Sequence, residues 1–402
     1  MYNLTGRPIV LGVTGSIAIY KAVDLASKLT QAGALVDVAM TPEATKFVAP
    51  VTFQSVTTRP AYFDMFNPGS DISELHVALA RRAELMVIAP ATATIMARLA
   101  LGLAEELVSL TALATKARLI VCPAMDANMW AHPATQAHVD TLWSRGVEMV
   151  GPEEGRLASG QTGTGRMSEV EKIMGAVRKV VGASGDLAGK KIVISAGGTH
   201  EAIDPVRFIG NSSSGKMGFA LAEAARDRGA NVVLVSGPVA LANPYGMRVL
   251  RVRSAAEMRD VIVPESADAD VLVMAAAVAD YQVSEPVGEK IKREGKQGLT
   301  LSLSPAPDIL AEVGARAGLI KVGFAAESND LLANASRKLK AKGLHLIAAN
   351  DITATDAGFG SDSNRVILLD AAGGKEELPL MSKYDVAWRI LDRVSTLVRS
   401  KA

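Results

Sequence analysis

The stretch Asp204-Pro-Val-Arg-Phe-Ile-Gly-Asn-Ser-Ser-Ser-Gly-Lys-Met-Gly218 decides the reading of this chain. It follows the apolar run Ile192 to Ser195 and Ala196-Gly-Gly198, and leads into Phe219-Ala-Leu-Ala-Glu-Ala-Ala225, a good helix former. The order is therefore strand, long polar loop, helix. A loop of Gly, Ser and Asn at a helix start turns backbone N–H groups toward an anion, and the helix dipole adds to the attraction. Gly210, Gly215 and Lys216 fit the spacing G-x-x-x-x-G-K, but the next residue is Met217, where Mg²⁺ would need Ser or Thr. That excludes an ordinary P-loop and leaves a cradle for a phosphorylated or acyl-phosphate-like ligand. The competing reading is a plain Ser/Gly connector.

Working outward, the chain starts this pattern twice. Pro8 to Val13 is an apolar strand, followed by Thr14-Gly-Ser16 and a helical stretch from Ile17 to Thr30. Between the two starts lies Gly182-Ala-Ser-Gly-Asp-Leu-Ala-Gly189, small and polar. It marks a boundary, with a first domain over 1–182, a linker over 183–190 and a second domain over 191–402. In the first half, strands are expected at Leu35 to Met40, Leu85 to Ala89 and Leu119 to Cys122. Thr41-Pro-Glu43 caps a helix through Phe47, and further helices span Ala93 to Leu103 and Ala134 to Arg145. The second half repeats the alternation, with strands at Val232 to Val235, Val271 to Ala275, Ile320 to Gly323 and Leu346 to Ala349. Its helices fall near Met217 to Arg228, Leu331 to Lys342 and Ser382 to Leu397. Strands that are apolar throughout and alternate with helices imply an α/β fold: two doubly wound, Rossmann-like domains with mainly parallel sheets. Ligands of such sheets sit beyond the carboxyl ends of the strands.

Composition sets limits. Hydrophobic residues make up 49% of the 402, ample for large cores, and only 4% are aromatic. The 43 basic and 42 acidic residues are well mixed and leave a net charge of +1, which gives no footprint for nucleic acid. Cys122 is the only cysteine, so an intrachain disulfide and a cysteine-based zinc site are excluded. The amino-terminal apolar run is too short for a signal peptide, and no run approaches the roughly 18 residues of a membrane span. The expectation is a cytoplasmic protein without a membrane partner.

The first half carries four small-residue clusters. Gly12-Val-Thr-Gly-Ser-Ile-Ala18 offers two glycines and two hydroxyls at a helix start, suited to one phosphate but not to a dinucleotide. Ala89-Pro-Ala-Thr-Ala-Thr94 lets a flat ring approach the backbone. Pro123-Ala-Met-Asp-Ala-Asn-Met-Trp130 ends a third strand, and Gly160-Gln-Thr-Gly-Thr-Gly-Arg-Met167 is a glycine-dense loop and candidate lid. Residues 7–180 resemble the flavin-binding cysteine decarboxylases through the Pro-Ala-Met-x-x-x-Met-Trp run and the Gly-x-Gly-Arg-Met loop. The resemblance implies FMN binding at Gly15, Ser16, Thr41, Ala89 and Thr92, and a catalytic base at His76, whose imidazole titrates near pH 6.5 when unperturbed. Without it, His76 reads as a helix-surface histidine. His132, His138, His200 and His345 are left as structural. Two residues depart from the family. Asp126 stands where the pattern has Asn, so a substrate carboxylate would meet a like charge unless Asp126 is protonated. Ser159 stands where the flap often has Cys, and a hydroxyl is a far weaker acid than a thiol.

The second half resembles phosphopantothenate–cysteine ligases through seven motifs in order. They are Ser195-Ala-Gly-Gly-Thr-His-Glu201, Asp204-Pro-Val-Arg207, Asn211-Ser-Ser-Ser-Gly-Lys-Met-Gly218, Ala275-Ala-Ala-Val-Ala-Asp-Tyr281, Lys290-Ile-Lys-Arg293, Gly323-Phe-Ala-Ala-Glu327 and Ala349-Asn-Asp351. The resemblance implies CTP as co-substrate, an acyl-cytidylate intermediate and Mg²⁺. It places the nucleotide at Met274, Ala275, Ala276, Asp280, Pro307, Asp308, Ile309, Leu310 and Phe324, with Lys290, Lys338 and Lys342 as cations. Lys338 and Lys342 are four apart and share a helix face, which reads equally as a solvated basic face. Asp280 suits Mg²⁺ or ribose, or caps a turn. Asn211 is implied to hold the acyl intermediate and Lys290 to support catalysis. Arg293 replaces a customary Lys and keeps the charge.

Together the halves resemble the bifunctional coenzyme A biosynthesis proteins of bacteria, whose substrates are 4′-phosphopantothenate, cysteine and CTP. The resemblance also implies a homo-oligomer with trimeric decarboxylase contacts and dimeric ligase contacts. Two alternatives stay open: an active ligase with a slow or inactive decarboxylase, and a flavin-binding regulatory subunit.

Overall fold

A computed structural model describes residues 3–65, 74–292, 298–327, 330–351 and 360–401. Arg293 lies outside the described residues. Two compact units divide the chain, Met1–Gly182 and Ala183–Ala402.

The first unit is built on a six-stranded parallel sheet. Its strands are β1 (Pro8–Val13), β2 (Leu35–Met40), β3 (Ala61–Tyr62), β4 (Leu85–Ala91), β5 (Arg118–Pro123) and β6 (Glu148–Met149), in the order β3-β2-β1-β4-β5-β6. β4 is buried at every position, as its unbroken apolar sequence requires of a strand covered on both faces. One face packs Val10, Ile88 and Val121 against Leu79, Ile95, Met96 and Leu142 of the covering helices. Helices Ile19–Gln31 and Val170–Gly182 pack together over the other face. Cys122, fully buried in β5, has its thiol pKa pushed up by burial.

The second unit has an eight-stranded sheet. After β7 (Glu153–Arg156) and β8 (Thr162–Arg166) of the first unit come β9 (Lys191–Ala196), β10 (His200–Ala202), β11 (Phe208–Gly210), β12 (Asn231–Ser236), β13 (Arg248–Arg251), β14 (Val271–Met274), β15 (Tyr281–Val283) and β16 (Leu303–Pro305). β17 (Ile320–Glu327), β18 (Leu346–Asp351), β19 (Ser363–Asp370) and β20 (Lys375–Ser382) complete the strands. The large sheet runs β13-β12-β9-β14-β17-β18-β19-β20, parallel up to β18 and antiparallel from there. Successive residues alternate between two cores, as a period of two demands. Ile192, Ile194 and Val232 meet Phe219 and Leu221 of helix Lys216–Arg226 and Ile390 and Val394 of helix Lys383–Lys401. Val193, Val233 and Leu272 meet Met258, Ile262 and Leu339 on the opposite side. Each such fully buried aliphatic chain is worth roughly 1.5–3 kcal/mol.

Four expectations are corrected. The segment expected as a linker is packed: Leu187 is 0% exposed, and Asp186 pairs with Arg228 at 2.6 Å. The long loop before Lys216 contains the antiparallel pair β10–β11, because His200 stacks on Phe208 with ring centroids 3.6 Å apart. The glycine-dense lid is an antiparallel hairpin, β7–β8. Thr41 introduces only one 3₁₀ turn, Ala44–Lys46, because Pro50 at the start of the next helix ends the run.

Candidate active sites

In the first unit the strand order reverses between β1 and β4, and the crevice of a doubly wound sheet lies at such a point. The Thr14 hydroxyl ties the two strand ends together, donating to the Pro90 carbonyl at 2.7 Å and accepting from the Thr92 N–H at 3.3 Å. Thr92 then caps helix Ala93–Leu101, accepting from the Ile95 N–H at 3.4 Å. At the neighbouring end of β2, Thr41 accepts from the Ala44 N–H at 3.3 Å. Gly15 lies against Glu43: a Cβ at Gly15 would meet the Glu43 Cβ at 2.6 Å, so this turn accepts only glycine. Gly15, Ser16, Thr41, Ala89 and Thr92 thus lie at the ends of three adjacent strands. Helix Ile19–Gln31 begins beside them with no side-chain cap; its Ile19 and Lys21 N–H groups turn back to the Ser16 and Ala18 carbonyls, and the positive end of its dipole remains to attract an anion.

The end of β5 joins this edge through the Ala124 N–H, which donates to the Ala91 carbonyl at 2.9 Å. Asp126 follows and caps helix Ala127–Ala131 through the Asn128 N–H at 3.0 Å. Its second carboxylate oxygen accepts from the Ser159 hydroxyl at 3.0 Å. The β7–β8 hairpin carrying Ser159 therefore reaches the Asp126 turn. Two glycines allow the approach: a Cβ at Gly165 would stand 2.2 Å from the Met125 carbonyl oxygen, and one at Gly163 would stand 2.8 Å from the Ala127 Cβ. His76 is half-buried in the first turn of helix Leu75–Arg82. His132 caps helix Pro133–Ser144, and His345 accepts from the Lys321 N–H.

In the second unit the reversal falls between β9 and β14. There the Ser195 hydroxyl accepts from the Ala276 N–H at 3.0 Å and the Thr199 hydroxyl from the Ala279 N–H at 2.9 Å. Gly215, at φ +74°, starts helix Lys216–Arg226, and Gly218 brings that helix onto β9, since a Cβ there would meet the Ala196 Cβ at 2.5 Å. A cavity of about 900 Å³ opens at this crevice. Its wall gathers Met274, Ala275, Ala276 and Asp280 from the β14 end with Pro307, Asp308, Ile309 and Leu310. Asn211, Phe324, Lys338 and Lys342 also line it. The Asn211 amide donates to the Val278 carbonyl at 3.0 Å. Lys338 donates to the Phe324 carbonyl at 2.8 Å, and Lys342 pairs with Asp308. Burial raises the Asp308 pKa, but the Lys342 ammonium and the Ala311 and Leu310 N–H groups outweigh it and leave the carboxyl below its ordinary value.

Lys290 is placed apart from these residues, exposed and off the cavity wall. Its neighbour Ile291 is held on both sides: its N–H donates to Asp204 at 3.2 Å and its carbonyl accepts from Arg207 at 3.0 Å. Asp204 also accepts from the Val206 and Arg207 N–H groups. Burial works against its charge, and these N–H donors with Arg207 still hold its pKa down. The cavity wall adds Lys216, which the sequence placed in the cradle loop without naming it a site residue, and Asn350, Asn364 and Lys383, which it gave no role. Only Lys216 and Asn350 lay in a motif. Asn364 and Lys383 sit in antiparallel and helical segments whose sequence carries no ligand signature.

Residues 1–182 match the Flavoprotein family, and residues 187–397 match the DNA/pantothenate metabolism flavoprotein C-terminal domain. The chain is 44% identical over 398 residues to the coenzyme A biosynthesis bifunctional protein CoaBC of Bacillus subtilis (strain 168), covering 98% of each chain. It is 41% identical over 398 residues to the CoaBC of Escherichia coli (strain K12), again covering 98% of each. Among solved structures, the C-terminal domain of a CoaBC protein aligns at 37% identity with a TM-score of 0.47, covering 54% of this chain and 100% of that one. The FMN-dependent cysteine decarboxylase SpaF aligns at 26% identity with a TM-score of 0.39, covering 44% of this chain and 97% of that one. A near-full-length match to curated relatives, with a flavoprotein unit followed by a pantothenate-metabolism unit, shows that this chain belongs to the bifunctional CoaBC enzymes of coenzyme A biosynthesis.

Proposed function

We propose that the second unit activates 4′-phosphopantothenate with CTP and joins it to cysteine, and that the first unit decarboxylates the product with FMN to give 4′-phosphopantetheine. The observation that carries this reading is the single cavity gathering Asn211, Asp280, Phe324, Lys338 and Lys342 at the β9/β14 reversal. A carboxylate is a poor electrophile. One of its oxygens attacks the α-phosphorus of CTP, the bond to the β-phosphate breaks, and pyrophosphate leaves with the electron pair. The cysteine amine then attacks the acyl carbon and expels CMP.

The Asn211 amide has two N–H groups. One holds the Val278 carbonyl, and the other is left to donate to the acyl carbonyl without acting as a nucleophile. Asp280, exposed at the cavity, suits a Mg²⁺ that leans on phosphate and water. Among the described residues no group of three or more His, Cys, Asp or Glu offers an all-protein cage, and Mg²⁺ does not need one. Phe324 and the Met274–Ala276 backbone suit the base and ribose. For Lys290 the support is the sequence resemblance alone, as it is for a homo-oligomeric, cytoplasmic enzyme.

In the first unit, the uncapped helix and the glycine and hydroxyl groups at three strand ends fit the phosphate and ring of FMN. When bound, FMN supplies the two-electron chemistry that prepares the cysteinyl carboxylate for loss as CO₂. His76 is assigned the base, and the β7–β8 hairpin stands over Asp126. One observation favours a second reading, an active ligase with a slow decarboxylase. Both Asp126 oxygens are engaged within the chain, by the Asn128 N–H and the Ser159 hydroxyl, and Ser159 spends its proton there, so neither side chain stands free for a substrate carboxylate.

The test uses full-length protein with 4′-phosphopantothenate, cysteine, CTP and Mg²⁺, following pyrophosphate and CO₂. Both products support the main reading, and pyrophosphate without CO₂ supports the second. Neither product overturns both.

A further inference from the structure

The cavity of the second unit has a charged end that the residues assigned above do not explain. Lys216 and Lys383 are each the first residue of a helix, Lys216–Arg226 and Lys383–Lys401. A cation there faces the positive end of a helix dipole, which disfavours it. The turn 360–362 gathers both lysines. The Lys216 ammonium donates to the Gly360 carbonyl at 2.9 Å and to Asp362 at 2.6 Å, while Lys383 donates to the Ser361 carbonyl. Lys383 is only 7% exposed. Burial, then the neighbouring Lys216 charge, holds its pKa below the usual lysine value against the pull of Asp362.

Among the described residues the carboxylate that meets the Lys216 ammonium is Asp362, itself 89% exposed. Asn364, 4% exposed, and Asn350 line the same cavity. The two lysines also border a smaller cavity of about 340 Å³, but its wall carries the carboxylates of Glu223 and Asp362 beside Phe219 and Leu241, which disfavours an anion there. On the large cavity they stand beside Ser213 and Ser214.

We infer that Lys216 and Lys383 form the polyphosphate subsite of the second unit, holding the β- and γ-phosphates of the nucleotide and the pyrophosphate that leaves. This deepens the nucleotide reading above and rests on it. Lys338 and Lys342, held by the Phe324 carbonyl and by Asp308, then flank the base and ribose end. As the α–β bridging bond breaks, its electron pair goes to pyrophosphate, and the two ammoniums meet the charge that develops.

The test is calorimetric titration of the full-length protein, in Mg²⁺, with CTP, CMP and inorganic pyrophosphate. Lys383→Met should weaken CTP and pyrophosphate by about tenfold or more, the size of a lost charge-assisted hydrogen bond, and leave CMP within about twofold. Lys383→Arg, which keeps the charge, should recover most of the loss. Lys340→Met, on an exposed helix position away from the cavity, should bind all three as the parent does. If circular dichroism shows Lys383→Met unfolded, Lys216→Gln, on a less buried lysine, carries the same comparison. Equal losses for CTP and CMP, or no loss for either, overturn the subsite. Binding of CTP without any binding of pyrophosphate by the parent also overturns it and leaves the nucleotide reading intact. Pyrophosphate binding that depends on Lys383, with no cytidine nucleotide bound, supports the subsite and overturns the nucleotide reading.

Discussion

The two units share one strand order and differ in what stands at its crevice. In each, six parallel strands run with the first beside the fourth, so each has a reversal point where two strand ends diverge. In the first unit that point is lined by Gly15, Ser16, Ala89 and Thr92, small residues and hydroxyls beside an uncapped helix. In the second it is lined by four lysines, Lys216, Lys338, Lys342 and Lys383. The scaffold fixes where a ligand lies, and the side chains around the crevice decide its chemistry: as proposed, a flat ring with one phosphate in the first and a polyphosphate in the second.

If the two crevices work separately, a change in one leaves the other untouched, and the sharpest test comes from His76. His76→Asn should lower CO₂ release by roughly 10²–10⁴-fold, the usual value of a general base, while pyrophosphate formation stays at the parent rate. Unchanged decarboxylation would remove His76 from that role. Asn211→Asp should cut cysteine adduct formation by about 10²–10³-fold, as loss of a donor to a developing oxyanion does. Pyrophosphate should still form, and CO₂ release from added phosphopantothenoylcysteine should be normal. A fall in that release would show that the crevices are coupled.

Stability offers a finer cut. Gly218→Ala sets a methyl 2.5 Å from the Ala196 Cβ and 2.9 Å from the Ser195 carbonyl oxygen, so helix and strand must separate. The expected cost is about 1–3 kcal/mol, read in urea as an earlier loss of ligase activity with flavin retention unchanged. The smallest effect is acid sensitivity at Asp308. Its folded-state pKa lies below the ordinary 3.8, so its contribution is full above that pH and fades as the pH falls through the folded value. Lys342→Met should remove the share due to the ammonium and leave that of the Ala311 and Leu310 N–H groups, a change of at most about 1 kcal/mol for a pair this exposed, measured by urea titration at pH 5 and pH 3.

Much of this arrangement was legible in the sequence, for physical reasons that also explain the rest. Strands such as Leu85–Ala91 are covered on both faces and read as unbroken apolar runs. β19 and β20 escaped notice because they form the antiparallel end of the sheet, outside the strand–helix alternation, and the edge strand β20 mixes charges with Pro379 in a way only an edge tolerates. β7 and β8 were hidden by glycines that serve close approach to Met125 and Ala127 rather than flexibility. Asn211, Asp280 and Phe324 were found through ordered motifs, and the fold brings them to one cavity. Lys383 carries no such signal, since its meaning arises only when the turn 360–362 sets it beside Lys216.

The packed junction has a practical consequence for anyone dividing this protein. Arg228, only 5% exposed, is neutralised by Asp186 and Asp392 and stacks over Trp388 at 5.0 Å. A gene fragment opening at Ala183 keeps Asp186 and Leu187 with the domain they complete. One opening at Lys190 discards both, uncovers the groove that Leu187 fills and leaves a guanidinium half-paired, at a cost of up to several kcal/mol. The place to cut is therefore eight or so residues earlier than the small, polar composition of that stretch advertises.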